Sequence, residues 1–251
     1  MIPPDLLKRL EQAVHDALGN WPEEWTRFHW PGYTFHHTQR VRRLARRLAK
    51  EEGADVEVVG VAALLHDITK ADGREHAHTG AERAHTLLDG QVAGDAVTRI
   101  ADTIAAHNTA AADDPVEWRV LSDADKIDAN FGLVAVTRYF TIRGSQGMSL
   151  AEALDGVPSW KEHHVERLEL LSSDAGRRCA DHRLVVMHRF CDEAERDPVT
   201  RAIAQFFVDD CTRPDLPRQV EALATEGVPG ASAEEAVAFV ARIRREMNGE
   251  L

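Results

Sequence analysis

Six residues in the first half of the chain carry side chains suited to holding a metal ion: His37, His66, Asp67, His76, His107 and Asp125. Imidazole nitrogens and carboxylate oxygens are the ligand mixture of borderline and hard divalent ions such as Mn, Fe, Co, Ni, Zn or Mg. The sharpest signal is Val61-Ala62-Ala63-Leu64-Leu65-His66-Asp67-Ile68-Thr69-Lys70, where an apolar run ends in a histidine and an aspartate side by side and then in a lysine. Burying even a neutral polar group costs roughly 2–7 kcal/mol unless something pairs with it, and a metal ion would pair with both. For an isolated His-Asp pair, a satisfied core histidine beside a capping aspartate would be the better reading. The other four residues decide between the two.

Each of the six falls at or near the end of a predicted helix, so that several helix ends can converge on one pocket without breaking the packed faces. Nine of the eleven positions from Val56 to His66 are apolar or glycine, which predicts a helix buried on nearly all sides. Before it, Pro4 to Leu18 reads as an amphipathic helix stopped by Gly19, and Trp21 to Trp30 as an aromatic lid. His37 opens a helix to Glu52 with Val41, Leu44, Ala45 and Leu48 on its apolar stripe, and Gly53-Ala54-Asp55 turns the chain. After the doublet come a polar loop (Ala71 to Glu75), a helix with Ala77, Ala81, Ala84 and Leu88 inward, and a helix from Asp95 to His107. Asp114-Pro115 starts another that reaches Asp125, and Phe131 to Tyr139 is a further apolar helix. Ser149 with Glu152, Ser159 with Glu162 and Ser232 with Glu235 fit capping boxes, and Asp197-Pro198 opens a tail helix. Leu168 to Glu195 is a long helical region with a break expected at Ser172-Ser173 or Gly176. Strand signals are almost absent, so the expected class is all-α: a helical core over residues 1–197 and a helical extension over 198–251 packed on it, as one compact domain overall.

Composition narrows the partners. Of 251 residues, 43% are hydrophobic and 29% charged, as in an ordinary globular protein. The net charge of −12 argues against a general nucleic-acid binder, which needs a basic footprint, but leaves room for a small anion in a local basic pocket. Cys179, Cys191 and Cys211 show no Cys-x-x-Cys spacing and read as reduced thiols. No apolar stretch approaches the roughly 20 residues of a membrane span, and the N-terminus lacks a basic segment followed by an apolar core, so no membrane partner and a cytoplasmic location are expected. A homodimer is left open. Eight of the 13 histidines lie between His29 and His107, which locates function there.

Three segments together, His37-x-x-Arg40-Val41, Ala63-Leu64-Leu65-His66-Asp67-Ile68-x-Lys70 and Asp123-Ala124-Asp125-Lys126-Ile127-Asp128, resemble the HD-domain superfamily of metal-dependent phosphohydrolases. The resemblance implies one divalent metal on His37, His66, Asp67 and Asp125, with His36 and Asp123 as the alternatives for the first and last ligands. A subset of the superfamily holds a second metal through two more histidines, which His76 and His107 resemble. The competing reading makes His76 a solvent-exposed loop residue and His107 a helix-end residue favoured by the helix dipole. His78 and His85 are taken as exposed. From Asp123 to Phe140 and from Val165 to Phe190 the chain resembles the YpgQ/YedJ-like branch, which includes nucleoside triphosphate pyrophosphohydrolases. Thr34 and Lys70 depart from that branch, and His-Asp-x-x-Lys with the extra histidines is similar instead to two-metal members acting on nucleotides or dinucleotides.

The resemblance implies hydrolysis of a phosphate ester or anhydride of a small phosphorylated molecule, in first place a nucleotide. The metal would polarise a phosphoryl oxygen and lower the pKa of bound water from 15.7 toward roughly 7. Asp67 would bridge two ions, Lys70 and Arg40 would neutralise phosphate, with Lys126 and Arg143 behind them, and Asp128 would orient a ligand or take a proton. Two alternatives use the same residues: a di-iron oxygenase resembling myo-inositol oxygenase, and a non-catalytic nucleotide-binding protein on the same fold.

Overall fold

In the computed structural model, which describes residues 2–19, 32–212 and 215–250, the apolar run ending at His66 folds as one central helix. The Trp21–Trp30 stretch lies outside the described residues. Among those residues the chain is helical, with no strand and one isolated bridge between Val228 and Ala231, so the all-α expectation holds. No helix among them is long and apolar enough to cross a membrane.

The contacts divide the chain into two units, residues 1–127 with 171–178, and residues 128–170 with 179–251. In the first unit, α1 (Pro4–Leu18) buries Leu6, Leu10, Val14 and Leu18, and α2 (Tyr33–Glu52) buries Val41, Leu44, Ala45 and Leu48. Gly53 takes the left-handed φ of 73° that ends α2 and lets Asp55 cap α3 (Val56–Leu65), its carboxylate accepting from the Glu57 and Val58 amides. Every residue of α3 from Val58 to Leu65 is buried, because α1, α2 and α5 all pack on it. α4 (His76–Leu88) lies against α5 (Gly94–Ala106), and α6 (Val116–Asn130) runs on from the first unit into the second. The expected loop after Lys70 is a 3-10 turn, Lys70–Glu75.

Two sequence expectations are corrected. Helix α2 starts at Tyr33, not at His37, because the left-handed Gly32 (φ 79°) turns the chain into the helix four residues earlier, and His37 sits one turn inside. Ser159 is no cap: α9 (Val157–Arg167) starts two residues before it with Pro158 in the first turn, a position where a missing amide proton costs nothing.

The expected break at Ser172-Ser173 is present and has a cause. Asp123, fully buried, accepts hydrogen bonds from the amides and hydroxyls of Ser172 and Ser173, which holds that segment non-helical ahead of α10 (Asp174–Ala194). A Cβ at Gly176 would collide with the Asp123 carboxylate, so glycine alone fits there.

The second unit contains α7 (Leu133–Ser145), α8 (Leu150–Asp155), α9, most of α10, α11 (Pro198–Asp209), α12 (Leu216–Thr225) and α13 (Ala233–Met247). The capping boxes at Ser149 and Ser232 form as expected, and Asp197 caps α11. The N-terminus of α7 is capped from a distance: Glu246 on α13 accepts from the Leu133 and Val134 amides at 2.9 and 3.2 Å.

Candidate metal centre

Helix ends of the first unit deliver His66, Asp67, His76 and His107 and fix how the three rings point, whereas His37 sits one turn inside α2 and Asp125 lies within α6, which continues to Asn130 instead of ending at Asp125 as expected. The last carbonyls of a helix lack an intrahelical partner, and a histidine placed at the C-cap can use one. His66, C-cap of α3, donates from Nδ1 to the Ala63 carbonyl at 2.8 Å, and His107, C-cap of α5, donates to the Ile104 carbonyl at 2.7 Å. His76, first residue of α4, donates to the Gly73 carbonyl at 2.6 Å. Gly73 is left-handed (φ 64°), a conformation that glycine adopts without strain and that aims this carbonyl. A carbonyl only accepts, so each ring carries a proton on Nδ1 and, when neutral, presents its Nε2 lone pair, the arrangement of a histidine ligand held from behind.

Those lone pairs converge. The Nε2 atoms of His76 and His107 lie 3.3 Å apart. Asp67 stands between two histidine groups, with Oδ2 3.6 Å from His66 Nε2 and Oδ1 3.4 Å from His76 Nε2. His37 reaches in from α2 and donates from Nε2 to Asp125 Oδ1 on α6 at 2.9 Å, and His66 Nε2 is 3.8 Å from the same oxygen. Two candidate ligand sets result, His37 with His66 and Asp67, and Asp67 with His76 and His107; within each, the ligating atoms all lie within 4.8 Å of one another. Asp67 belongs to both.

These residues fit a metal on their own chemistry. His66 Nε2 is fully buried and has no hydrogen-bond partner, a costly arrangement for a polar atom unless an ion takes the lone pair. Burial works against ionising Asp67, yet His66, Lys70 and His37 together hold its carboxyl well below the usual range. Burial opposes Asp125 in the same way, and its contacts with His37 and His66 prevail. Burial, reinforced by His66, pushes His107 down to about 4, and burial with the Lys70 ammonium lowers His76. Carboxylates kept ionised beside the neutral imidazoles of His76 and His107 are protonation states that suit metal ligation.

The remaining candidates separate. Lys70 donates from Nζ to Asp67 Oδ1 at 2.8 Å and lies 3.3 Å from His76 Nε2. Arg40, one turn beyond His37, is buried, its guanidinium 6.0 Å from the centre of the Tyr33 ring. Lys126 donates to Ser122 Oγ, and Arg143, in the second unit, lies over the Tyr139 ring. Asp128 is buried one turn beyond Asp125 but belongs to the second unit, where its charge contributes to raising the buried Glu246 carboxyl, an effect dominated by burial itself. His76 is buried rather than a solvent-exposed loop residue, whereas His78 and His85 are exposed. His36 and Asp125 both fall outside the two sets, but Asp125 Oδ1 adjoins the first of them, beside His37 and His66, and Asp123 is committed to the two serines.

Three further side chains complete the surroundings. Asn108 Nδ2 lies 3.3 Å from His76 Nε2, and its only sequence signal is that it follows His107. Thr79 donates to Thr69 Oγ1 at 2.8 Å and Thr69 to the His76 carbonyl at 3.0 Å, which ties the start of α4 to the turn after the doublet. Nothing in their spacing marks the threonines, since neither touches a ligand atom.

The sequence model of the HD domain family matches residues 34–130, a span that contains all six residues. The uncharacterised protein YpgQ of Bacillus subtilis is 26% identical over 199 residues, 76% of this chain and 96% of YpgQ. The crystal structure of a predicted HD superfamily hydrolase from an uncultured Thermotogales bacterium is similar with a TM-score of 0.55 at 25% identity, covering 74% of this chain and 90% of that one. The crystal structure of Bacillus subtilis YpgQ in complex with ADP is similar with a TM-score of 0.56 at 22% identity, covering 77% and 95%.

Proposed function

We propose, from the premise that residues 34–130 form an HD domain, that the chain is a metal-dependent phosphohydrolase acting on a phosphate ester or anhydride of a small molecule, with a nucleotide as the first substrate class to test. The observation that carries the proposal is Asp67 shared between two sets of ligating atoms, one oxygen toward each. A divalent metal held there supplies Lewis-acid polarisation of a phosphoryl oxygen and a water acidic enough to attack at neutral pH.

The chain's own residues do the rest. His37, His66, Asp67 and Asp125 form the first site, and Asp67 with His76 and His107 the second. The Nδ1 bonds to Ala63, Gly73 and Ile104 keep three of the four rings from turning. Lys70, whose side chain is 23% exposed at the edge of the ligand set, is placed to meet a phosphate oxygen, while Arg40 adds positive charge from behind His37. The ligand of YpgQ in its crystal structure, ADP, supports the nucleotide class.

A metal-by-substrate screen tests the proposal: phosphate and pyrophosphate release from nucleoside mono-, di- and triphosphates, dinucleoside polyphosphates and sugar phosphates with each of Mn, Fe, Co, Ni, Zn and Mg. Release of either product with at least one metal supports it. A metal-loaded chain that consumes oxygen and releases neither product would place it among the di-iron oxygenases, and one that binds nucleotide without turnover among the non-catalytic binders.

A further inference from the structure

The Lys70 ammonium sits where a second cation would sit. Its Nζ lies 2.8 Å from Asp67 Oδ1 and 3.3 Å from His76 Nε2, two of the three groups of the second ligand set. The third, His107 Nε2, is 3.3 Å from His76 Nε2, and both rings have already spent their protons on carbonyls. Two lone pairs and a carboxylate oxygen facing one another repel unless a positive charge lies among them. Lys70 provides that charge without any ion. We infer that Lys70 is an internal competitor for the second metal: it fills the Asp67–His76–His107 set, and a second ion binds only by displacing its ammonium.

The inference rests on the metal-centre reading above and adds a regulation of its occupancy. The fold gives Lys70 a way out, because its side chain is partly exposed and it opens a short 3-10 turn rather than a packed helix. The same charge therefore serves in two positions. It quiets the second set when that set is vacant, and it turns toward a substrate phosphate once an ion has taken its place. The ammonium's contacts are with Asp67 Oδ1 and His76, so the first set, built from His37, His66 and Asp125 with the other Asp67 oxygen, fills first.

Mn2+ binding to the full chain by calorimetry, together with the rate at which Lys70 is acylated as read by mass spectrometry, tests this. The variant Lys70→Met removes the ammonium but keeps most of the stem. Lys126→Met removes an equal charge whose Nζ lies on Ser122 instead. The expected result for the native chain is one tight and one weaker site, with Lys70 acylated at least five times faster once the second ion is bound. Lys70→Met is expected to tighten the weaker site tenfold or more, and Lys126→Met to change it less than twofold. Adding His107→Ala to Lys70→Met should remove the weaker site again.

Equal tightening by both lysine variants would overturn the inference in favour of a general charge effect, and so would a second site that Lys70→Met leaves unchanged or weakens. In both cases the tight site persists and the metal-centre reading stands. A native chain that binds no divalent ion at either set overturns both.

Discussion

The Nε2 atoms of His76 and His107 approach to 3.3 Å while each Nδ1 is bound to a backbone carbonyl three residues earlier in sequence. Two neutral imidazoles cannot hydrogen-bond through two lone pairs, so the pair is held together by the backbone that orients it and by the Lys70 ammonium 3.3 Å from His76 Nε2. The same relation makes the centre testable residue by residue.

Removing the shared ligand should empty both sites. Asp67→Asn keeps the side-chain size but loses the charge that both ligand sets use, and metal content by elemental analysis should fall below a tenth of the native value. His107→Ala should lower only the second, weaker equivalent and leave the first. Unchanged metal content in His107→Ala would refute a two-metal centre.

The two aspartates of Asp123-Ala124-Asp125 should behave oppositely. Asp125→Ala is expected to abolish tight metal binding with little loss of fold. Asp123→Ala strands the buried donors of Ser172 and Ser173, which costs about 1–3 kcal/mol or more, and should leave metal stoichiometry intact. Gly176→Ala should destabilise by a similar amount, since its methyl group would press on the Asp123 carboxylate. Chemical denaturation measures both costs, and a metal-deficient but fully stable Asp123→Ala would exchange the roles assigned here.

Acid should act on the metal-free chain through His107. Its pKa is about 4 when folded against the ordinary histidine value of 6.5, so between those pH values the unfolded chain binds the extra proton and the folded chain does not. The stability of the metal-free protein therefore falls as pH drops from 6.5 toward 4, by on the order of 3 kcal/mol from this residue. In the folded chain, nitrogen NMR of His107 should show no protonation above pH 5; a midpoint near 6.5 would contradict the burial argument.

Much of this candidate centre is legible in the sequence because His66, Asp67, His76 and His107 are tied to helix ends, and helix ends leave marks. The apolar run into His66-Asp67 shows where α3 stops, and the alternation of helix and turn around His76 and His107 shows that three ends meet. His37 is less legible: the helix that carries it starts earlier than its residue types suggest, since Gly32 rather than a polar cap begins α2. The choice of Asp125 over Asp123 turns on Ser172 and Ser173, about fifty residues away, and no local pattern announces that pairing. The Lys70 ammonium inside the second ligand set is a matter of side-chain reach across a 3-10 turn, and so invisible in a string of letters. The expected division near Asp197 rests on a cap that does form, while the contacts group residues 198–251 with 128–170 and 179–197.

The most direct measurement is anaerobic turnover of ADP and related nucleotides in water enriched in oxygen-18 by the metal-loaded chain and by Asp67→Asn. Metal-activated water predicts one heavy oxygen in one of the phosphorylated products from the native chain, on the phosphorus that was attacked, and a rate at least a thousandfold lower in the variant, on the order of 4 kcal/mol of lost stabilisation. Absence of either product from a fully metal-loaded native chain, or release that the loss of Asp67 leaves unchanged, would contradict the assignment of this centre to phosphate hydrolysis.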